Sequence, residues 1–132
     1  MPAAKRVLLI EDDAGLRQAL KMLLERRGYL VVEALDGREA LTLLQDDPLP
    51  SAVLLDLKLP GMNGWEFRER QLADPRLACL PTLVMTGDEA EPSGALHGAT
   101  LYPKSKPPQQ LLDAVETLVA QAPKPGARRS PR

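Results

Sequence analysis

A chain of 132 residues with 44% apolar content suits one ordinary domain and excludes disorder for its body. Its single cysteine, Cys79, excludes an internal disulfide and a cysteine-built zinc site, and no apolar run approaches a membrane span. The net charge of −1 hides an acidic body: the last eleven residues, APKPGARRSPR, carry Lys124, Arg128, Arg129 and Arg132 and no acid, which leaves 13 bases against 18 acids and argues against nucleic-acid binding.

RVLLIE opens the chain as a buried strand by its continuous aliphatic run. A helix follows over DAGLRQALKMLLERRG, capped by Asp13 and ended by Gly28, with Leu16, Leu20, Leu23 and Leu24 at helical spacing. YLVVEA is a second strand, Asp36-Gly37 a turn, and REALTLLQDD a short helix. AVLLD is a third strand, and Gly64 to Ala73 a helix centred on Trp65 and Phe67. PTLVMTG and ATLY are the fourth and fifth strands. Pro107-Pro108 opens a last helix, with Leu111, Leu112, Val115, Leu118 and Val119 on one side. Between the last two strands, DEAEPSGALHGA holds Pro92, Ser93 and Gly94 where a helix belongs, so a shortened or irregular helix is expected there. Residues 5–121 read as one domain and 122–132 as a disordered basic tail.

Strands alternating with helices predict an α/β fold: a doubly wound, five-stranded parallel sheet. Its ligand site lies beyond the carboxyl ends of the strands, where the winding reverses. With strand order 2-1-3-4-5, Glu11, Asp12 and Asp56 converge there. Carboxylates that close repel one another unless a cation arrives, and an oxygen-only set without His or Cys favours Mg²⁺. Thr86 ends the fourth strand and Lys104 follows the fifth. A hydroxyl, an ammonium and a metal site around one carboxylate make a phosphoryl site, with Asp56 as the nucleophile that becomes an acyl phosphate. Lys104 would pair with a phosphoryl oxygen, and Thr86 would donate a hydrogen bond to it.

The pieces VLLIEDD, LLDLKLPGMNGWE, LVMTG, GATLY and PKSKPPQQLLDAV resemble the receiver domain of two-component response regulators, the single-domain chemotaxis type in particular. The resemblance runs from about Arg6 to Gln121 and implies a flavodoxin-like fold. It implies that Asp12 and Asp56 bind Mg²⁺ directly, that the Lys58 backbone carbonyl is a third ligand, and that Glu11 acts through water. Asp13 is expected to cap its helix. Lys106 is the alternative to Lys104, since the family usually spaces its lysine three residues from the aromatic at the Tyr102 position. Tyr102 is either core filling or the aromatic that swings inward on activation. Cys79 reads as an apolar filler and His97 as a loop residue. Lys58 and Asp88 flank the expected path of an attacking water and would slow hydrolysis by pairing.

The function expected from this resemblance is a stand-alone, cytoplasmic response regulator rather than an enzyme. It would take a phosphoryl group on Asp56 from a histidine kinase or phosphotransfer protein, with Mg²⁺, and signal by protein contact, a homodimer included; no membrane or nucleic-acid partner is expected. With Met1 only a few residues before the first strand, no output domain is expected. The alternative is a phosphate sink or relay with no output partner. A phosphohydrolase with an aspartyl nucleophile would need an acid two residues further on, where Lys58 stands.

Overall fold

Short aliphatic runs become the strands, and leucine-patterned segments between them become the helices. A computed structural model describes residues 5–87 and 98–121. In chain order the elements are β1 (Arg6–Ile10), α1 (Ala14–Arg26), β2 (Leu30–Ala34), α2 (Gly37–Leu43), β3 (Ala52–Asp56), α3 (Gly64–Ala73), α4 (Pro75–Ala78), β4 (Thr82–Thr86), β5 (Thr100–Pro103) and α5 (Pro108–Gln121). The strands form one parallel sheet in the order β2-β1-β3-β4-β5, the flavodoxin-like arrangement the sequence implied.

Because side chains alternate across a strand, β1 and β3 feed two cores. Val7, Leu9, Ala52 and Leu54 pack under α1 and α5. Leu8, Ile10, Val53 and Leu55 pack against Ala40 and Leu44 at α2 and Phe67 of α3. Every residue of β3 and β4 is buried, which holds these strands rigid from both faces. On the edge strand β5 only Tyr102 is buried.

Helix starts follow local chemistry. Asp13 caps α1 by accepting from the Leu16 N–H, as expected. Asn63 and Glu66 form a reciprocal capping box on α3, whose bounds match the sequence reading. Two local expectations are corrected, and one helix is added. Asp36-Gly37 is not a free turn: Asp36 accepts from the Glu39 N–H and caps α2, which ends at Leu43, short of Asp47. The segment after α3 forms the extra helix α4, with Asp74 as cap and Pro75 in its first turn. Cys79 is exposed rather than buried filler. The irregular helix expected around Pro92, together with Asp88, His97 and the basic tail, lies outside the described residues.

Candidate phosphoryl and metal site

The site follows from strand register. Ile10 is level with Leu55, so the next residues, Glu11 just past β1 and Asp56 as the last residue of β3, emerge side by side on one rim. Asp12 joins them: one carboxylate oxygen from each of the three residues lies within 4.8 Å of the others. Glu11 and Asp56 are buried, while Asp12 is exposed.

Lys104 reaches this cluster from the end of β5. Its N–H donates to the Thr86 carbonyl at 2.7 Å, which extends the β4–β5 pairing by one residue. Its Nζ lies 3.0 Å from Asp56 Oδ1 and 3.9 Å from Glu11 Oε1. Lys106, the other candidate lysine, instead sits 5.8 Å above the centre of the Tyr102 ring. Tyr102 is buried and its hydroxyl donates to the Pro107 carbonyl at 2.5 Å, so one aromatic side chain secures the loop that carries Lys104. Burial raises the Tyr102 pKa, which keeps that donor protonated.

Thr86 ends β4 on the same rim, and its hydroxyl donates to the Tyr102 carbonyl at 3.4 Å, a long bond. Lys58 approaches Asp56 through its backbone, the N–H donating to Oδ1 at 3.4 Å. Asp13, besides capping α1, donates its N–H to Glu11 Oε2 at 3.1 Å.

The cluster is electrostatically unfinished. Burial pushes the Glu11 carboxyl from its ordinary 4.5 up to about 7, and the neighbouring Asp56 adds to the rise. The Asp13 N–H and the Lys104 ammonium oppose it. Glu11 Oε1 is buried with no hydrogen-bond partner among the described residues. A hard divalent cation fits this combination: a set of oxygen donors and a buried carboxylate oxygen left without a donor.

The turn behind Asp56 has its own logic. Gly61 has φ +63°, a conformation glycine adopts readily. A Cβ on Gly64 would stand 2.5 Å from the Asp56 carbonyl oxygen and 2.6 Å from the Leu57 Cα. Gly64 also donates its N–H to the Leu57 carbonyl at 2.9 Å. Its lack of a side chain therefore lets α3 press against the backbone that carries Asp56.

Two clusters escaped the sequence reading. Arg68 and Gln71 of α3 are buried with Thr82 at the start of β4. Arg68 Nη1 donates to Gln71 Oε1 at 2.8 Å and to Thr82 Oγ1 at 3.1 Å, and Gln71 Nε2 donates to Thr82 Oγ1 at 3.0 Å. On the acidic rim, Arg17 of α1 donates to the backbone of Glu11 and Asp12. Neither had a local sequence signal, since Arg68 and Gln71 are completed by Thr82 and Arg17 by Glu33, partners distant in the chain.

Comparison with known proteins identifies the family. The family model described as the response regulator receiver domain matches residues 7–116. Response regulator MprA of Mycolicibacterium vanbaalenii is 36% identical over 120 residues, 86% of this chain and 50% of that protein. Protein PilH of Pseudomonas aeruginosa is 26% identical over 119 residues, 87% of this chain and 98% of that protein. The chain thus spans half the length of MprA and nearly all of PilH. Among solved structures, the chemotaxis protein CheY4 of Vibrio cholerae superposes with a TM-score of 0.77 at 27% identity, covering 88% of this chain and 99% of that one.

Proposed function

Since this chain belongs to the response regulator receiver domain family of two-component signalling, we propose that Asp56 is its phosphoacceptor. The observation that carries this reading is the lysine–carboxylate contact, with Lys104 Nζ 3.0 Å from Asp56 Oδ1 beside the Glu11 and Asp12 carboxylates. The donor is a phosphohistidine on a histidine kinase or phosphotransfer protein. An Asp56 carboxylate oxygen attacks phosphorus, an O–P bond forms, and the P–N bond breaks. The departing imidazole nitrogen keeps the electron pair and takes up a proton.

Glu11, Asp12, Asp56 and the Lys58 carbonyl would hold the metal, Glu11 through water. Bound Mg²⁺ supplies neutralisation of the charge spread over the phosphoryl oxygens. Lys104, paired with Asp56 beforehand, turns to the added phosphoryl oxygens, and the Thr86 hydroxyl exchanges its long bond to Tyr102 for one to the same group. The charge added at the rim then biases the surrounding loops toward a second arrangement that a protein partner, or a second copy of this chain, recognises. Water attack on the acyl phosphate returns the unmodified chain. The setting proposed is the cytoplasm; no helix among the described residues is long and apolar enough to cross a membrane.

Incubation with acetyl phosphate and Mg²⁺, followed by intact mass, tests the assignment. The expected result is a gain of one phosphoryl group, absent in Asp56→Asn and absent with excess chelator. No gain in the unmodified chain, or an equal gain in Asp56→Asn, overturns it.

A further inference from the structure

Glu11 and Asp12 lie just past the last residue of β1, so little of the sheet fixes their backbone. The Glu11 N–H donates to the Ala34 carbonyl at 3.0 Å. The two carbonyls share one donor: Arg17 Nη1 donates to Glu11 O at 3.0 Å and, through a longer bond, to Asp12 O at 3.4 Å. The same guanidinium donates from Nε to Glu33 Oε1 of β2 at 3.0 Å, and Lys21 Nζ stands 3.2 Å from Glu33 Oε2. The Arg17 side chain is only 15% exposed.

We infer that Arg17 is a positioning residue for the metal site, acting through the backbone of Glu11 and Asp12, with Glu33 as the residue that orients it. This rests on the Mg²⁺ reading given above. A guanidinium is a rigid planar fork, so a nitrogen that binds two successive carbonyls fixes both peptide planes. Rotation of either plane swings the Glu11 carboxylate relative to that of Asp12 and spoils their convergence. Glu33 holds the fork from its other edge and balances its charge, so that a cation can stand behind an acidic site without a strong cost to metal binding. Groups that orient ligands in this way change metal affinity without touching the metal.

Calorimetric titration of the whole chain with MgCl₂ separates this role from plain charge. Arg17→Ala is expected to weaken Mg²⁺ binding about tenfold, the usual scale for loss of an orienting partner. Arg17→Lys keeps the charge, loses the fork, and is expected to bind almost as weakly as Arg17→Ala. Glu33→Ala weakens binding less, and adds nothing in the Arg17→Ala background, because it acts through Arg17. Lys21→Ala, which touches Glu33 but neither carbonyl, leaves the affinity unchanged.

Unchanged or tighter Mg²⁺ binding in Arg17→Ala overturns the inference, as tighter binding means that charge repulsion outweighs positioning. Independent, additive losses from Arg17→Ala and Glu33→Ala also overturn it. Failure of the unmodified chain to bind Mg²⁺ is a different result and removes the metal reading itself. Thermal melts in chelator check folding; if Arg17→Ala does not fold, Arg17→Lys and Glu33→Ala decide by the same affinities.

Discussion

Two buried polar clusters sit at opposite ends of the sheet, and they are built differently. At the start of β4, the Arg68 guanidinium, the Gln71 amide and the Thr82 hydroxyl bond to one another; Gln71 also donates to the Leu77 carbonyl and Thr82 to that of Leu80. At the ends of β1 and β3, Glu11 and Asp56 are as deeply buried, yet the Glu11 carboxyl is pushed up to about 7 and its Oε1 has no donor among the described residues. A polar group satisfied from within holds the structure together. One left with an unused acceptor is open to a ligand, as the proposed metal site requires.

The residue that joins the two regions offers the largest effect. Gly64→Ala places a methyl 2.5 Å from the Asp56 carbonyl oxygen, and α3 or the end of β3 must move. Overpacking of this kind costs about 3 kcal/mol. Denaturant unfolding reads that cost, and phosphorylation slows because Asp56 is displaced. Equal phosphorylation rates would separate the glycine contact from the rim.

Gln71→Leu tests the satisfied cluster alone. It strips Arg68 and Thr82 of a shared partner and is expected to cost about 2 kcal/mol, the scale of a buried charge-assisted hydrogen bond. Phosphorylation of Asp56 should persist at its normal rate. A large loss of phosphorylation without a loss of stability would mean that the two ends are coupled.

Glu11→Gln should have the opposite sign, in a smaller amount. Between pH 4.5 and about 7, folded Glu11 keeps a proton that the unfolded chain has released. Stability in chelator therefore falls as pH rises through that window and levels off above it. Glu11→Gln flattens the fall, so the variant melts higher than the unmodified chain at pH 8 while binding Mg²⁺ more weakly. A melting temperature that rises from pH 5 to pH 7 in chelator would contradict the burial argument.

The smallest effect calibrates the others. Arg27 lies 3.6 Å from both Asp113 and Glu116 of α5, with each acid more than two-thirds exposed. Arg27→Ala should cost about 0.5 kcal/mol or less, with a dependence on salt. A cost near that of Gln71→Leu would mean that exposed and buried pairs do not differ here as burial predicts.

The strands and their acidic ends were legible because aliphatic runs ending in acids report both a buried strand and its open end; the sheet order that brings Glu11, Asp12 and Asp56 together came from the family resemblance. The bounds of α3 were legible because Asn63 and Glu66 spell a capping box three residues apart. Asp36 and Glu39 carry a similar spacing for α2, and Asp74-Pro75 signals α4, but four to seven residues offer little periodicity to support either signal. Arg68 and Gln71 sit among Glu66, Glu69 and Arg70 in a segment that resembles a solvated helix face, and only Thr82, across the fold, explains their burial. Arg17 was hidden for the same reason: its partner Glu33 is fixed by the placement of α1 on the sheet, not by nearby sequence.

The bare backbone of Gly64 has a mechanical consequence. At one end α3 is fitted against Asp56 and Leu57, and further along Arg68 and Gln71 bolt it to β4. A helix fastened twice resists tilting, so if Asp56 takes a phosphoryl group as proposed, the strain is expected to fall on the other side of the rim, at Thr86 and the segment bearing Lys104, with α3 as the fixed frame.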